Sequence, residues 1–417
     1  MESNWLTSTV QRTSVLLTDR IIFVILVLAI IQKSHPKYSY LAYVVALCGV
    51  LLEYRAAAEL FRRSFPLVLL MCFATASYFW SYSPSDTALA MVGLYGTVAI
   101  TVYGICRLGM RGFLQGLAIA ISVSALLSIA FIVLLPAEGI QGDGGIRGFY
   151  SYKTELGLGM VIGLISNALA ARESHGNLRA VFVGGFVLCL GILSRANSIT
   201  GVLTFAIFLV ILTVLLRARA KRSARLAFIG IIALSSLMPI SQSDYAGQVF
   251  SVVGRDATLT GRTDIWNGVL TAISQRPTLG YGYGAFWLDN GPSEEYVDAD
   301  TWGAHAAHNG YLETLLNVGI LGLCVLAYFI IAGIWRSSRF FWRGGDWFSA
   351  WPLCILLNAL ITNYAEATFM YARVDWLAIM AAFLLASVPS PPEINRDTVD
   401  TGIELSAVSP FIPSVRW

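Results

Sequence analysis

Between residues 305 and 313 the chain carries His305, His308, Asn309 and Glu313, in the segment Ala304–Leu323 (AHAAHNGYLETLLNVGILGL), although it has only 4 histidines altogether. Such a group supports three readings. His308 could serve as a general base toward a hydroxyl, with Asn309 and Glu313 orienting it. His305 and His308, three apart, could ligate a metal with Asp298 and Asp300 in support. All four could simply be polar residues that finish a helix. Upstream, Thr263–Ser274 (TDIWNGVLTAIS) places Ile265, Trp266, Val269, Leu270 and Ile273 at helical spacing, and Thr263 and Asp264 offer an N-terminal cap. Arg262 immediately precedes this amphipathic helix, so its guanidinium and the free amides of the first turn both favour an anion. Pro277–Trp287 (PTLGYGYGAFW) then sets Gly280, Gly282 and Gly284 between aromatics. With no strand before it, this is a poor dinucleotide signature. A turn with Tyr281, Tyr283, Phe286 and Trp287 near headgroups or a sugar, and a purely structural turn, are both open.

The elements that must position these groups are membrane helices. Of 417 residues, 56% are hydrophobic and 13% charged, and the mean hydropathy is +0.68; an ordinary soluble domain is roughly a quarter charged. Stretches such as Ser198–Leu216 are apolar on all sides, unlike the alternating strands of an outer-membrane barrel, and backbone amides in lipid need internal partners. Spans are expected near 20–32, 37–54, 66–80, 87–106, 112–135, 155–171, 179–194, 198–216, 225–240, 309–334, 348–363 and 372–388. The expected organisation is an N-terminal membrane region of about nine helices over 1–240, a large external loop over 241–308, a C-terminal region of about three helices over 309–388, and a disordered tail over 389–417. The first apolar run lacks a cleavage pattern and is read as a retained span. A net charge of +3 with no basic tract excludes nucleic acid as a partner.

Lys and Arg set orientation, because cytoplasmic loops are enriched in them. With both termini inside, all but nine of the 28 fall on the cytoplasmic side. The nine left over are Lys33, Lys37, Arg147, Lys153, Arg195, Arg255, Arg262, Arg276 and Arg373, and topology gives no reason for them. They concentrate near two external stretches, the glycine-rich and flexible Pro136–Lys153 and the long 241–308 loop. The six cysteines lie within or at the edge of spans, which indicates neither an external disulfide nor a thiolate metal site.

The runs TLTGRTDIW, RPTLGYGYGAFW and HNGYLETLLNVGILGL, in that order and spacing, resemble the C-terminal signature of the O-antigen ligase and polymerase superfamily. The wording GRDATLTGRTDIW is most similar to its Wzy-type exopolysaccharide polymerases. The resemblance implies an all-α polytopic fold of about 12 transmembrane helices, of the C-type glycosyltransferase kind, in the bacterial inner membrane with its active site on the periplasmic side. It also implies a metal-independent, cofactor-free glycosyl transfer. The donor would be an undecaprenyl-diphosphate-linked glycan, and the acceptor a second lipid-linked repeat unit or, for a ligase, a lipid A core sugar. A chain-length regulator protein would be a further partner. Residue by residue, the resemblance carries the essential arginines onto Arg195, in LSRANS, and Arg262, in TGRTD, and the essential histidine onto His308, in HNGYL. Arg147, Lys153, Arg255, Asn309 and Tyr281 are expected to line the substrate path. Lys153 is followed by Thr154 where relatives often carry Asn. Glu155, Asp256 and Asp264 are all candidates to orient the arginines. A membrane transporter is the alternative of another class, disfavoured because the ionisable residues cluster at span ends.

Overall fold

The computed structural model describes residues 17–32, 36–142, 144–220, 262–297, 305–343 and 348–387, and these are almost wholly helical. The helices are α1 (Leu17–Ile31), α2 (Pro36–Leu52), α3 (Tyr54–Arg62), α4 (Phe65–Ala76), α5 (Pro84–Leu134), α6 (Lys153–Glu173), α7 (Gly176–Arg195), α8 (Ile199–Ala220), α9 (Arg262–Gln275), α10 (Gly310–Arg343), α11 (Trp351–Thr362) and α12 (Val374–Leu385). Four of them, α5, α6, α7 and α10, are by themselves long and apolar enough to cross a membrane, and a fifth span arises if α2 and α3 are taken together. The chain is a multi-pass membrane protein. The expected span over 225–240 and tail over 389–417, together with Lys33, Arg255, Asp256, Asp298 and Asp300, lie outside the described residues.

Two spans are expected at 87–106 and 112–135, and α5 is accordingly two helices joined at a kink, where Gly109 is left-handed at φ 63°. The chain folds back there. A Cβ at Gly104 would stand 2.9 Å from Phe113 Cδ2, and Gly104 and Gly116 both press on the ring of Phe23; twelve residues of straight helix would hold those glycines about 18 Å apart. The two arms of α5 are therefore separate legs of the bundle.

At one end of the bundle Arg107 bridges Asp19 at 3.1 Å and Glu53 at 2.6 Å. There too Arg336 reaches the carbonyl of Arg63 and the hydroxyl of Ser387. The segment 54–62 at this end is not the loop that the apolar runs suggested. It forms α3, bent 91° from α2, with Ala56, Ala57 and Leu60 buried on one side. At the opposite end Pro136–Lys153, expected to be flexible, is tied down. A one-turn helix Pro136–Gly139 precedes a bridge between Ile140 and Ile146, and Tyr150 and Phe149 are held by the hydroxyls of Ser124 and Ser128.

The glycine-aromatic turn is a structural joint. α10 is interrupted at Gly319, which is left-handed at φ 65°, and the 277–282 segment fills the gap. Tyr281 N and Gly282 N donate to the carbonyls of Leu316 and Asn317, while Ile320 N and Leu321 N donate to those of Pro277 and Thr278. The orphaned groups of the break are thus satisfied by main chain. A Cβ on Gly319 would lie 2.2 Å from the carbonyl oxygen of Thr278.

Candidate functional site

The site is built where α10 begins. Asn309 caps that helix, its Oδ1 accepting from Tyr311 N at 3.0 Å and Leu312 N at 3.1 Å. Ala307 N donates to the buried carboxylate of Glu313, Oε2, at 2.9 Å. Between these two clamped residues His308 is left-handed, with φ 48°, a conformation that a non-glycine residue keeps only when its surroundings impose it.

The imidazole of His308 has a carboxylate partner. Its Nδ1 lies 3.2 Å from Glu366 Oε2; the Glu366 side chain is 7% exposed and the histidine 39%. With Nδ1 engaged by the carboxylate, Nε2 is the ring atom left to take a proton. Glu366 comes from the turn between α11 and α12, and Asn363 fixes that turn. The amide oxygen of Asn363 accepts from Thr368 N at 2.9 Å and Phe369 N at 3.2 Å, and its backbone carbonyl accepts Gly310 N at 2.8 Å. One fully buried asparagine thus sets both the histidine's segment and the glutamate's. A Cβ on Gly310 would fall 2.0 Å from Asn363 Oδ1, which explains the glycine of HNGYL.

The cationic helix start is docked beside the histidine. Trp266, one turn into α9, donates its indole N–H to the carbonyl of Ala307 at 2.8 Å. Arg262 is the first residue of α9, so its backbone is brought to the His308 neighbourhood, while its side chain is outside the described residues. Arg195 ends α7; after it Asn197 turns the chain at φ 50°, and Ser198 accepts Gly201 N to start α8. The hydroxyls of Thr204 in α8 and Thr362 in α11 are 3.5 Å apart, so the Arg195 turn and the Glu366 turn lie at the same end of the bundle.

Among the described residues, Arg147, Arg276 and Arg373 are cations that topology left over and that the protein itself engages. Arg147 binds Glu138 at 3.2 Å, Arg276 lies over the ring of Tyr281 at 4.9 Å, and Arg373 pairs with Glu155 at 2.9 Å. Arg195 is exposed and has no partner among the described residues. Lys153 begins α6, with its own N–H on Gln141 Oε1 at 3.2 Å. Tyr281 is buried, its hydroxyl donated to the carbonyl of Ala272 at 3.0 Å. It anchors the glycine turn and does not line the adjoining cavity. His305 and His308 part company: His305 lines that cavity, while His308 turns to Glu366. Glu366 and Asn363 were not singled out from sequence. Their only signal there is a polar NYAEAT stretch between two apolar runs.

Fold and site together define a multi-pass helical membrane protein with a carboxylate-held histidine at one end of the bundle and arginine-bearing helix ends at that same end. Residues 184–327 match the family model described as O-antigen ligase, and that stretch includes Arg195, Arg262 and His308. The chain is also similar to the exopolysaccharide production protein ExoQ of Rhizobium meliloti (strain 1021), 24% identical over 302 residues that cover 70% of this chain and 69% of the relative. Both likenesses support a place in the O-antigen ligase and polymerase superfamily, whose enzymes are of the ligase or polymerase type.

Proposed function

We propose that the protein is a polymerase that joins undecaprenyl-diphosphate-linked oligosaccharide repeat units into an exopolysaccharide. The His308–Glu366 pair carries this reading. Glu366 holds the imidazole by Nδ1, and Nε2 takes the proton from the attacking hydroxyl of the acceptor repeat. That oxygen bonds to the donor's anomeric carbon, the bond from that carbon to the diphosphate oxygen breaks, and the lipid diphosphate leaves with the electron pair. Attack opposite to the leaving group inverts the anomeric configuration. Arg195 and Arg262 bind the diphosphate as its charge grows, since guanidinium forks suit phosphate oxygens. Two facts support Arg195 in that role: it is exposed and it has no protein partner among the described residues. The name of the Rhizobium relative supports exopolysaccharide as the product.

In this reading the protein sits in the inner membrane with about 12 spans, the site faces the periplasm and both termini are cytoplasmic. The arginines paired at the opposite end, Arg107 and Arg336, suit a cytoplasmic face. The ionisable groups at the site end suit chemistry at a surface and argue against a transporter. Arg147, Lys153 and Arg255 flank the glycan or diphosphate path, and Asn309 acts on the substrate only through the shape of the His308 turn.

Incubating purified protein with the lipid-linked repeat is expected to give a ladder of polymer, and the His308→Ala variant none, while still reaching the membrane. A wild-type ladder from that variant would end the reading. The description of the matched family favours a second one, the ligase, with the same donor and a lipid A core sugar as acceptor. A deletion strain separates the two: single repeats on the core mark a lost polymerase, and full-length polymer left on the carrier marks a lost ligase.

A further inference from the structure

Beside the histidine turn lies a cavity of about 510 Å³, bounded by α2, the first arm of α5, the glycine-aromatic turn, the start of α10 and the 369–372 segment. Its volume falls in the range of small-molecule sites, roughly 300–1,000 Å³. From Asp86 at the mouth to Gly93 it follows seven residues of helix, about 10 Å of depth. Neither the chemistry assigned to His308, Arg195 and Arg262 nor the family match gives it an occupant.

Its walls are aromatic and fixed. Trp287 and Tyr371 face it, and both are held by Glu313, which is 3% exposed. The indole N–H of Trp287 lies 3.1 Å from each Glu313 oxygen, and the phenol of Tyr371 hydrogen-bonds the same carboxylate. Asn317 closes the network, donating to Glu313 at 3.2 Å and accepting Gly284 N at 2.7 Å. Plates held in this way lose little freedom on binding. Across the cavity stand Tyr40 and Tyr43 of α2 and Asp86 of α5.

Charge selects the occupant. Two carboxylates, Asp86 and Glu313, line the cavity, and among the described residues that line it there is no Lys or Arg, so a diphosphate is repelled. A prenyl chain would take out of water the carboxylate of Asp86, which the Ser83 hydroxyl bonds only at Oδ2, together with the hydroxyl of Tyr40, which is unfavourable. A neutral sugar matches both features. Its C–H faces stack on indole and phenol rings, and its hydroxyls donate to Asp86 and exchange hydrogen bonds with Tyr40 and Tyr43.

We propose that this cavity binds neutral sugar units of the glycan. In the polymerase reading, on which the choice of glycan rests, it seats the acceptor: His305 lines it and Ala307 N is bonded to its wall, three residues and one residue before the proposed base.

The test uses the full-length protein in nanodiscs. The probe is a set of neutral oligosaccharides released by partial acid hydrolysis from the polymer of the strain that encodes the chain, free of lipid and phosphate. Saturation-transfer NMR is expected to show binding to the wild type. Leu89→Trp, which fills the cavity from an exposed rim position, and Tyr40→Ala are each expected to weaken it at least tenfold. Both positions are exposed, so thermal midpoints should hold, and Tyr40→Ala alone decides if Leu89→Trp does not fold. His308→Ala should bind the probe as the wild type does. No wild-type binding overturns the proposal. So does unchanged sugar binding in Leu89→Trp and Tyr40→Ala with lost binding of undecaprenyl phosphate, which makes the cavity a lipid site. Sugar binding without polymer formation overturns the polymerase reading and leaves this one standing.

Discussion

Trp266 donates its indole N–H to the carbonyl of Ala307 across 2.8 Å, and this bond couples the arginine-bearing start of α9 to the residue that precedes His308. The two segments are 41 residues apart in sequence. Their register therefore depends on a side chain that touches neither the donor nor the acceptor in the proposed reaction.

Removing that tether should lower turnover without unfolding the protein. Trp266→Phe keeps the ring and loses one hydrogen bond, worth about 0.5–1.5 kcal/mol, so a roughly 3- to 10-fold fall in polymer formation is expected, with the thermal midpoint almost unchanged. Initial rates on the lipid-linked repeat measure it, and an unaltered rate would show that the α9 docking is not needed.

Glu366 should matter far more. Glu366→Gln preserves size but cannot stabilise an imidazolium, and the general-base contribution at risk is about 10²–10⁴-fold. The loss is expected in kcat rather than in donor binding, and Glu366→Asp should recover part of it. Wild-type kcat in Glu366→Gln would remove the carboxylate from the mechanism.

The two arginine classes should separate by what they damage. Arg195 is exposed and unpartnered among the described residues, so Arg195→Ala is expected to cut activity by at least 10²-fold while leaving stability within about 0.5 kcal/mol. Arg373→Ala strands the buried carboxylate of Glu155, 8% exposed on its side chain, and should destabilise by on the order of 3 kcal/mol. Paired thermal-melt and activity measurements read both; equal destabilisation by the two changes would contradict the assignment.

These contrasts show which parts of the site the sequence could reveal. Arg262, the glycine turn and His308 were legible because one local signature holds them in fixed order, and the matched segment 184–327 covers them. Glu366 lies 58 residues from His308, beyond that segment and in a short turn with no pattern of its own, so only the packing of α11 and α12 against α10 exposes the pair. Sorting cations by side isolated Arg373 and Arg195 alike; telling them apart required Glu155, which the fold brings in from α6. The bundle was legible as a set of apolar runs. The α3 helix was not, since its nine residues bury only one face. The glycines of 136–153 suggested freedom because the restraining hydroxyls, Ser124 and Ser128, belong to another element.

The break in α10 yields the last prediction. Gly319 is held at φ 65° with the Thr278 carbonyl where a Cβ would go, so Gly319→Ala forces both a left-handed alanine and a displacement of the 277–282 segment. A loss of at least about 2 kcal/mol is expected, and because the four main-chain bonds across the break seat Pro277 through Gly282, activity should fall with it. Gly184 in α7 is the control. A Cβ there meets nothing within 4 Å, so Gly184→Ala should be neutral or stabilise by up to about 1 kcal/mol. Thermal unfolding of the two variants in the same lipid decides the matter. If Gly319→Ala is as stable as Gly184→Ala, the stitched joint is not what holds the site end together, and the glycines of the signature must be explained through the substrate instead.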